Sequence, residues 1–496
     1  MEWRIINSKN SIYFLVLFFF LLYAFGATNN SSLDAWAYAT DVSKGDNLFA
    51  PHHLFYSLLG YLWVGVINIF IDADVLLLLK LLNAVFAAAT LFILFRFLGV
   101  FSNNPRINLL LVALVGSSWG IMRFATENET YIVPLFFSLL GSFLLIKGKS
   151  KKDIIFSGLF AALATLFHQV MFFWWFGLML CQIFKRNFKN VILFALPALI
   201  VPIVYSLVVY FKYETLSTDL LFRFVFSDYY SGAASLELGA KSILLLFIGA
   251  IRSFVQVHGY IGNLLIESYW FWIAGFIAVV MIVSGLFVLV RNFRFLNLKK
   301  KPILWFYLVI ALFQLAFALL AGGNSEFLVM LPVLVAIILI YVENISNAAL
   351  GLIVAGIFIW NTSFGLIPLK YKTLDGSSMV VNHIASNSKK SVYILYSLPR
   401  IENELNYKGV KNNSILIKYN QQGVSIADTI NVLLKNGYSV YTDVYNRPKT
   451  LSRENMVFDL NDIQRVFENY RIEPTDSVRS ISGEYYLHSI CSKNNN

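Results

Sequence analysis

The chain has 496 residues, of which 58% are hydrophobic, 16% aromatic and 14% charged, with a mean hydropathy of +0.66; soluble domains carry roughly 25% charged residues. Water is therefore excluded as the solvent for most of the chain, and Cys181 and Cys491, the only cysteines, exclude a disulfide scaffold. The net charge of +11 is sparse rather than gathered on a basic face, which argues against a nucleic-acid partner and calls for a membrane explanation.

The first element is 11–25, SIYFLVLFFFLLYAF, with eleven Leu, Ile, Phe or Val side chains and no charge. At roughly −0.3 to −0.6 kcal/mol each, these sum to about −3 to −7 kcal/mol for insertion. The stretch lacks an A-x-A cleavage site and is followed by many similar segments, so it reads as a retained span rather than a signal peptide. Further apolar runs lie near 75–98, 107–125, 131–146, 154–167, 170–184, 191–210, 270–290, 303–321, 327–342 and 349–368, giving eleven candidate helices.

Lys and Arg cluster at Arg4/Lys9, Arg96/Arg106, Lys147–Lys152, Lys185–Lys189 and Arg291–Lys301, in every second connection. The positive-inside rule makes these connections cytoplasmic, sixteen basic residues in all. The intervening loops carry only six basic residues but thirteen acidic ones. The N-terminus is then expected inside and the C-terminus outside. The stretch 242–257, interrupted by Arg252, is expected to be an interfacial or re-entrant helix, since a span there would put Lys299–Lys301 outside. Residues 154–184 are bracketed by basic loops and must form a hairpin. Arms of about fourteen residues rise about 21 Å, less than the roughly 30 Å hydrocarbon core, so the apex, His168–Gln169, must line a wet cavity or be buried in protein.

After Lys370 the sequence turns polar. SVYILYS (391–397), SILIKY (414–419), YSVYTD (438–443) and 484–489 read as strands, and 400–407, 425–436 and 460–471 as helices, giving a small extracytoplasmic α/β domain over 370–496 behind a membrane domain over 1–369. It has no Gly-rich phosphate loop, metal-spaced Cys/His set or nucleophile elbow, so no chemistry is assigned to it.

The first outer loop contains Asp34-Ala-Trp-Ala-Tyr38, then Gly45-Asp46-Asn47-Leu48 and Pro51-His52-His53-Leu54-Phe55-Tyr56. Lys80 opens the second span, Arg123-Phe-Ala-Thr-Glu127-Asn-Glu129-Thr-Tyr131 forms a second outer acidic motif, and Leu166-Phe-His168-Gln169 makes the hairpin apex. In order and topology, over about residues 10–370, these resemble the GT-C glycosyltransferase superfamily, nearest in pattern to the protein O-mannosyltransferase and lipid A aminoarabinose transferase types. Two departures stand out. Asp34 is alone where a carboxylate pair is frequent, and Gly323-Asn324-Ser325-Glu326 occupies a place often held by an Arg-containing motif. The resemblance implies a polytopic α-helical membrane protein of about eleven spans with a large first outer loop. It also implies an inverting single displacement, moving a hexosyl- or pentosyl-type sugar from a polyprenyl phosphate to a lipid, glycan or protein acceptor in the cell envelope, outside a bacterial inner membrane.

The residues themselves suit that chemistry, which needs a base for the acceptor proton and cations for the departing phosphate. Asp34 is the candidate base, with a helix N-cap as its alternative role. Glu127 and Glu129, with Asp34, are candidates for a divalent ion such as Mg or Mn, some members of the superfamily being metal-dependent and others not; solvated loop carboxylates are the alternative. Lys80, Arg123 and Arg252 are candidates for the donor phosphate, against snorkelling for Lys80. Tyr38, His52, His53, His168, Gln169 and His258 are expected to line the cavity. The rival is a transporter or lipid-linked sugar flippase using His168, Gln169 and Gln314, opposed by the lack of a visible inverted repeat. A third reading makes the chain a non-catalytic assembly protein acting through its outer domain.

Overall fold

A computed structural model describes residues 8–232, 238–291, 302–342, 345–387, 390–411, 414–419, 425–448 and 465–493. Most of the last basic connection, 292–301, and residues 449–464 lie outside them. The chain divides into two compact units, one of Met1–Ala27, Lys44–Val257 and Ile273–Leu366, the other of Thr28–Ser43, His258–Trp272 and Ile367–Asn496.

In the first unit every expected apolar run carries a helix. Val75–Leu98, Phe188–Tyr213, Tyr269–Arg291, Ile303–Leu320 and Asn347–Tyr371 are each long and apolar enough to cross a membrane, and Pro105–Ser117 with Trp119–Ala125 makes a sixth if taken as one span bent by 61°. This is a multi-pass membrane protein. The runs at 131–146, 154–167, 170–184 and 327–342 form helices of fewer than 18 residues, and the run at 11–25 lies in the 18-residue helix Ser8–Phe25. The 242–257 run is the Ala240–Phe254 helix, packed at Gly249 against Ser325 and Leu328.

The helix boundaries have local causes. Asp74 caps Val75–Leu98 by accepting the Leu77 N–H at 2.8 Å. A reciprocal Ser150–Asp153 capping box starts Lys151–Phe167, and that helix stops at His168, whose backbone is extended (φ −159°, ψ 123°). The bent pair breaks at Ser118, also extended, so the ladder of backbone bonds is interrupted there. Buried Asn361 repairs the break: its Nδ2 donates to Ser117 O and Phe254 O, each at 2.7 Å, and its Oδ1 accepts from Gln256 N–H at 2.8 Å. Small residues set the close approaches. A Cβ on Gly158 would sit 2.0 Å from Phe194 O, and one on Gly365 would sit 2.2 Å from the Trp119 ring.

The second unit is built on a five-stranded sheet of β1 (Ser391–Leu395), β2 (Ile415–Lys418), β3 (Ser439–Thr442), β4 (Tyr470–Ser480) and β5 (Gly483–Ser492), in the order β2-β1-β3-β5-β4. β1 pairs in parallel with both β2 and β3, and β5 pairs antiparallel with β3 and β4. Central β1 is buried throughout because helices cover both faces: Ser377–Ser386 and Leu398–Tyr407 pack on Tyr393 and Leu395, and Ile426–Lys435 packs on Ile394. Four strands fall where the sequence places them. Of the expected 460–471 helix, 460–464 lie outside the described residues and 465–467 are helical, but its end is corrected, since β4 begins at Tyr470. β4 escaped detection because Pro474 and Asp476 interrupt its pattern at a bulge, which an edge strand tolerates.

Candidate functional site

The first unit holds a buried polar cluster around the 127–129 turn. Lys80, one and a half turns into its helix, lies only 5% exposed with Nζ 3.7 Å from Glu127 Oε1. It does not snorkel; its charge is met inside the protein. The Asn83 Nδ2 group donates to the carbonyls of both Glu127 and Glu129 at 2.7 Å, and Tyr56 Oη donates to Asn128 Oδ1 at 2.7 Å. The Glu127 carboxylate accepts its neighbour Asn128's N–H at 2.9 Å. Lys80, Asn83 and Tyr56 thus fix a turn of polar backbone that could not be buried alone. The solvated-carboxylate alternative fails, since Glu127 and Glu129 are both buried.

A second cluster begins at Arg123. Its Nη2 is 3.4 Å from Glu326 Oε1, and Tyr131 Oη donates to Glu326 Oε2 at 3.5 Å. The Arg123 and Glu326 side chains remain 25% and 31% exposed, in contrast to Lys80 and Glu127. Arg252 joins through its helix, which packs at Ser253 on Gly120 of the Trp119–Ala125 helix and at Gly249 on Ser325. The Tyr131 ring stacks on buried His168 at 4.8 Å, and His53 stands edge-on to His168 at 6.3 Å.

At the hairpin apex His168 is buried and Gln169 half-buried. Gln169 Nε2 donates to Pro51 O at 3.1 Å, Tyr205 Oη at 3.0 Å and Val225 O at 3.0 Å, while its Oε1 faces His52 Nδ1 at 3.2 Å. His52 Nε2 reaches Asp228 Oδ1 at 3.0 Å and Ser227 Oγ at 3.2 Å. Burial, and secondarily the neighbouring His52, push the His53 imidazole down to about 3, so it stays neutral at ordinary pH.

Asp34, Tyr38 and His258 belong to the second unit. Asp34 is exposed in the first turn of the Leu33–Lys44 helix, but it is not the cap; Ser32 Oγ accepts the Ala35 N–H at 3.0 Å and fills that role. Tyr38 is buried on the same helix, and His258 stacks on Tyr260 at 4.4 Å. The sequence reading missed Tyr56, Asn83, Tyr205, Asp228 and Asn361 as site-building residues. Asn83 carried a signal, being a lone amide within an otherwise apolar helix after Lys80, and Tyr56 ends the Pro51–Tyr56 motif of the first outer loop; Tyr205, Asp228 and Asn361 had none.

No protein-family model matches the chain, and neither does the sequence of any curated protein. Solved structures do. ArnT from Cupriavidus metallidurans, bound to undecaprenyl phosphate, aligns over 97% of both chains at 10% identity with a TM-score of 0.56, and its apo form aligns over 97% of both at 9% identity and 0.53. The chain has a GT-C fold. The Archaeoglobus fulgidus oligosaccharyltransferase in its apo form shares it at 12% identity and a TM-score of 0.51, over 90% of this chain and 70% of that one.

A divalent ion in this GT-C fold would need oxygen ligands turned to a common point. Glu127 instead turns to Lys80 and to the Asn128 N–H, and among the described residues no three His, Cys, Asp or Glu side chains gather as a metal group. The cation beside Glu127 is the ammonium of Lys80.

Proposed function

We propose that the chain is a glycosyltransferase of the outer membrane face, moving one sugar from a polyprenyl phosphate to an acceptor hydroxyl by a single inverting displacement. The observation that carries this reading is Lys80: an ammonium held below the surface of a helical membrane unit, beside a turn locked by Asn83 and Tyr56, in the fold of ArnT bound to undecaprenyl phosphate. In the reaction the acceptor oxygen attacks the anomeric carbon as the bond to the phosphate oxygen breaks. The proton passes to a carboxylate, for which Asp34 is the proposed base, and the lipid phosphate leaves against Lys80, Arg123 and Arg252. Glu127 and Glu129 hold the Lys80 side of the site in shape, and His168, Gln169, His52 and His53 form its wall; Tyr38 and His258 are proposed to line the acceptor approach. The proposed setting is a bacterial plasma membrane, and the charge asymmetry of the loops supports the orientation, with the N-terminus cytoplasmic and the C-terminal segment outside.

The test uses purified protein with a panel of polyprenyl-phosphate hexoses and pentoses, following release of free lipid phosphate. Sugar-dependent release that Asp34→Asn abolishes supports the reading. Movement of lipid-linked sugar across vesicles without loss of sugar would favour a flippase instead.

A further inference from the structure

The second unit has a polar cavity beside the connection that leaves β1. From β1 the chain leaves through the Leu398–Tyr407 helix to β2 on one side, then returns through the Ile426–Lys435 helix to β3 on the other. The connections leaving the C-terminal ends of β1 and β3 diverge, and such a switch point opens a crevice where α/β sheets bind ligands.

Charged groups converge there. Arg400, in the first turn after β1, pairs through Nη1 with Asp375 Oδ2. Just past β3, Asp443 accepts the Tyr396 N–H at 2.8 Å and pairs with Arg447 at 2.7 Å, whose guanidinium lies 4.1 Å from the Tyr396 ring centre. Burial alone would raise the Asp375 carboxyl; Arg400 and the Ser377 N–H outweigh it and hold the group below its usual range, so it stays ionised and committed to those partners.

The adjoining cavity measures about 500 Å³, large enough for a small ligand, and is lined by Lys370, Lys372, Arg400, Asn382, Asp375 and Asp476. Asp476 sits at the β4 bulge, a device that re-aims side chains. Three cations therefore meet two carboxylates in this lining, between mostly polar walls; Asp375 is bound to Arg400, and Lys372 is paired with Glu267 outside the lining. A hydroxyl-rich anion matches this lining; a lipid tail or apolar peptide does not.

We propose that this cavity binds an anionic saccharide, a sugar carrying a phosphate or carboxylate, as the recognised part of the acceptor. Its role as an acceptor subsite rests on the glycosyltransferase reading, whereas the binding itself does not.

The experiment measures binding to the full chain in zwitterionic nanodiscs, without donor, by ligand-observed NMR. The probes are glucose 6-phosphate, glucuronate, glucose and inorganic phosphate. The expected result is binding of the first two and not of glucose, with inorganic phosphate at least tenfold weaker than glucose 6-phosphate. Lys370→Gln with Lys372→Gln is expected to weaken glucose 6-phosphate binding about tenfold, and Arg400→Gln to do the same. If Arg400→Gln misfolds through loss of its pair, the lysine variant decides alone. Equal binding of glucose, equal binding of inorganic phosphate, indifference to the lysine variant, or loss of sugar binding in nanodiscs of anionic lipid would each overturn the proposal. Charge-dependent binding in a chain that transfers no sugar would keep the site and refute the function; sugar transfer with no such binding would do the reverse.

Discussion

Replacing Lys80 by Met separates a structural cation from one that serves the donor. At 3.7 Å from Glu127, the attraction amounts to roughly 4 kcal/mol at an effective dielectric of about 20. Both side chains are more than nine-tenths buried, so removing Lys80 alone leaves a carboxylate uncompensated and is expected to cost about 3–5 kcal/mol. With an unfolding entropy of about 2.1 cal/mol/K per residue, that lowers the thermal midpoint of a unit of this size by roughly 4–7 °C. Lys80→Met with Glu127→Gln removes both charges, and most of the lost stability is expected to return, as read by thermal unfolding in detergent. Activity should not return with it. In the proposed role the double variant folds yet releases lipid phosphate at least a hundredfold more slowly, about 2.7 kcal/mol of lost transition-state stabilisation. A stable double variant with wild-type turnover would refute the phosphate role of Lys80, and an unchanged midpoint in the single variant would refute the buried pair.

Asp34→Asn is expected to lower turnover by about 10²–10⁴-fold with a smaller shift in thermal midpoint than Lys80→Met, since Asp34 is exposed and Ser32 supplies the cap; a turnover within twofold of wild type removes it as the base. Glu326→Gln frees Arg123 from a half-exposed pair worth under about 1 kcal/mol, so donor KM is expected to fall about two- to fivefold with kcat little changed; a rise in KM would contradict the role of Arg123. Gly158→Ala drives a methyl to 2.0 Å from Phe194 O and is expected to cost at least about 1–3 kcal/mol, measured as an earlier melt. The His53 imidazole has a folded value of about 3 against 6.5 unfolded. Below 6.5 the unfolded chain therefore takes the proton first, and the stability present at pH 7 falls by about 2 kcal/mol by pH 5. His53→Gln should flatten the pH dependence of the melting midpoint by that amount, and an identical slope in both proteins would refute it.

Local signals were legible where one residue type decides an outcome. The His168–Gln169 break was readable from its basic brackets, which force the chain to return. β1 was legible as a continuous apolar run because it is buried on both faces. Partnerships were not legible. Arg123 and Glu326 are 203 residues apart, and Asn83 lies 44 residues from one carbonyl it satisfies and 46 from the other. Nothing in either local pattern fixes such a distance, because the pairing is chosen by how helices pack. Asp34 shows the opposite error: its residue type suits a cap, but Ser32 two positions earlier takes that bond, and only the helix start decides between them.

The departure at Glu326 gains a physical meaning from the contrast between the two ion pairs. Lys80 and Glu127 are almost wholly removed from water, so separating them exposes two poorly solvated charges, whereas Arg123 and Glu326 are each about a quarter to a third exposed and can exchange partners at little cost. A phosphate arriving from the lipid boundary meets one cation that is rigidly held and one that is easily released. In the proposed reaction Lys80 therefore acts as a preorganised charge that needs no rearrangement, while Arg123 can move from Glu326 to the phosphate as negative charge grows on the leaving oxygen. An acidic residue in a place often held by Arg then keeps a flexible guanidinium parked until the donor arrives, and the two variants Glu326→Gln and Lys80→Met should differ in kind, one shifting KM and the other kcat.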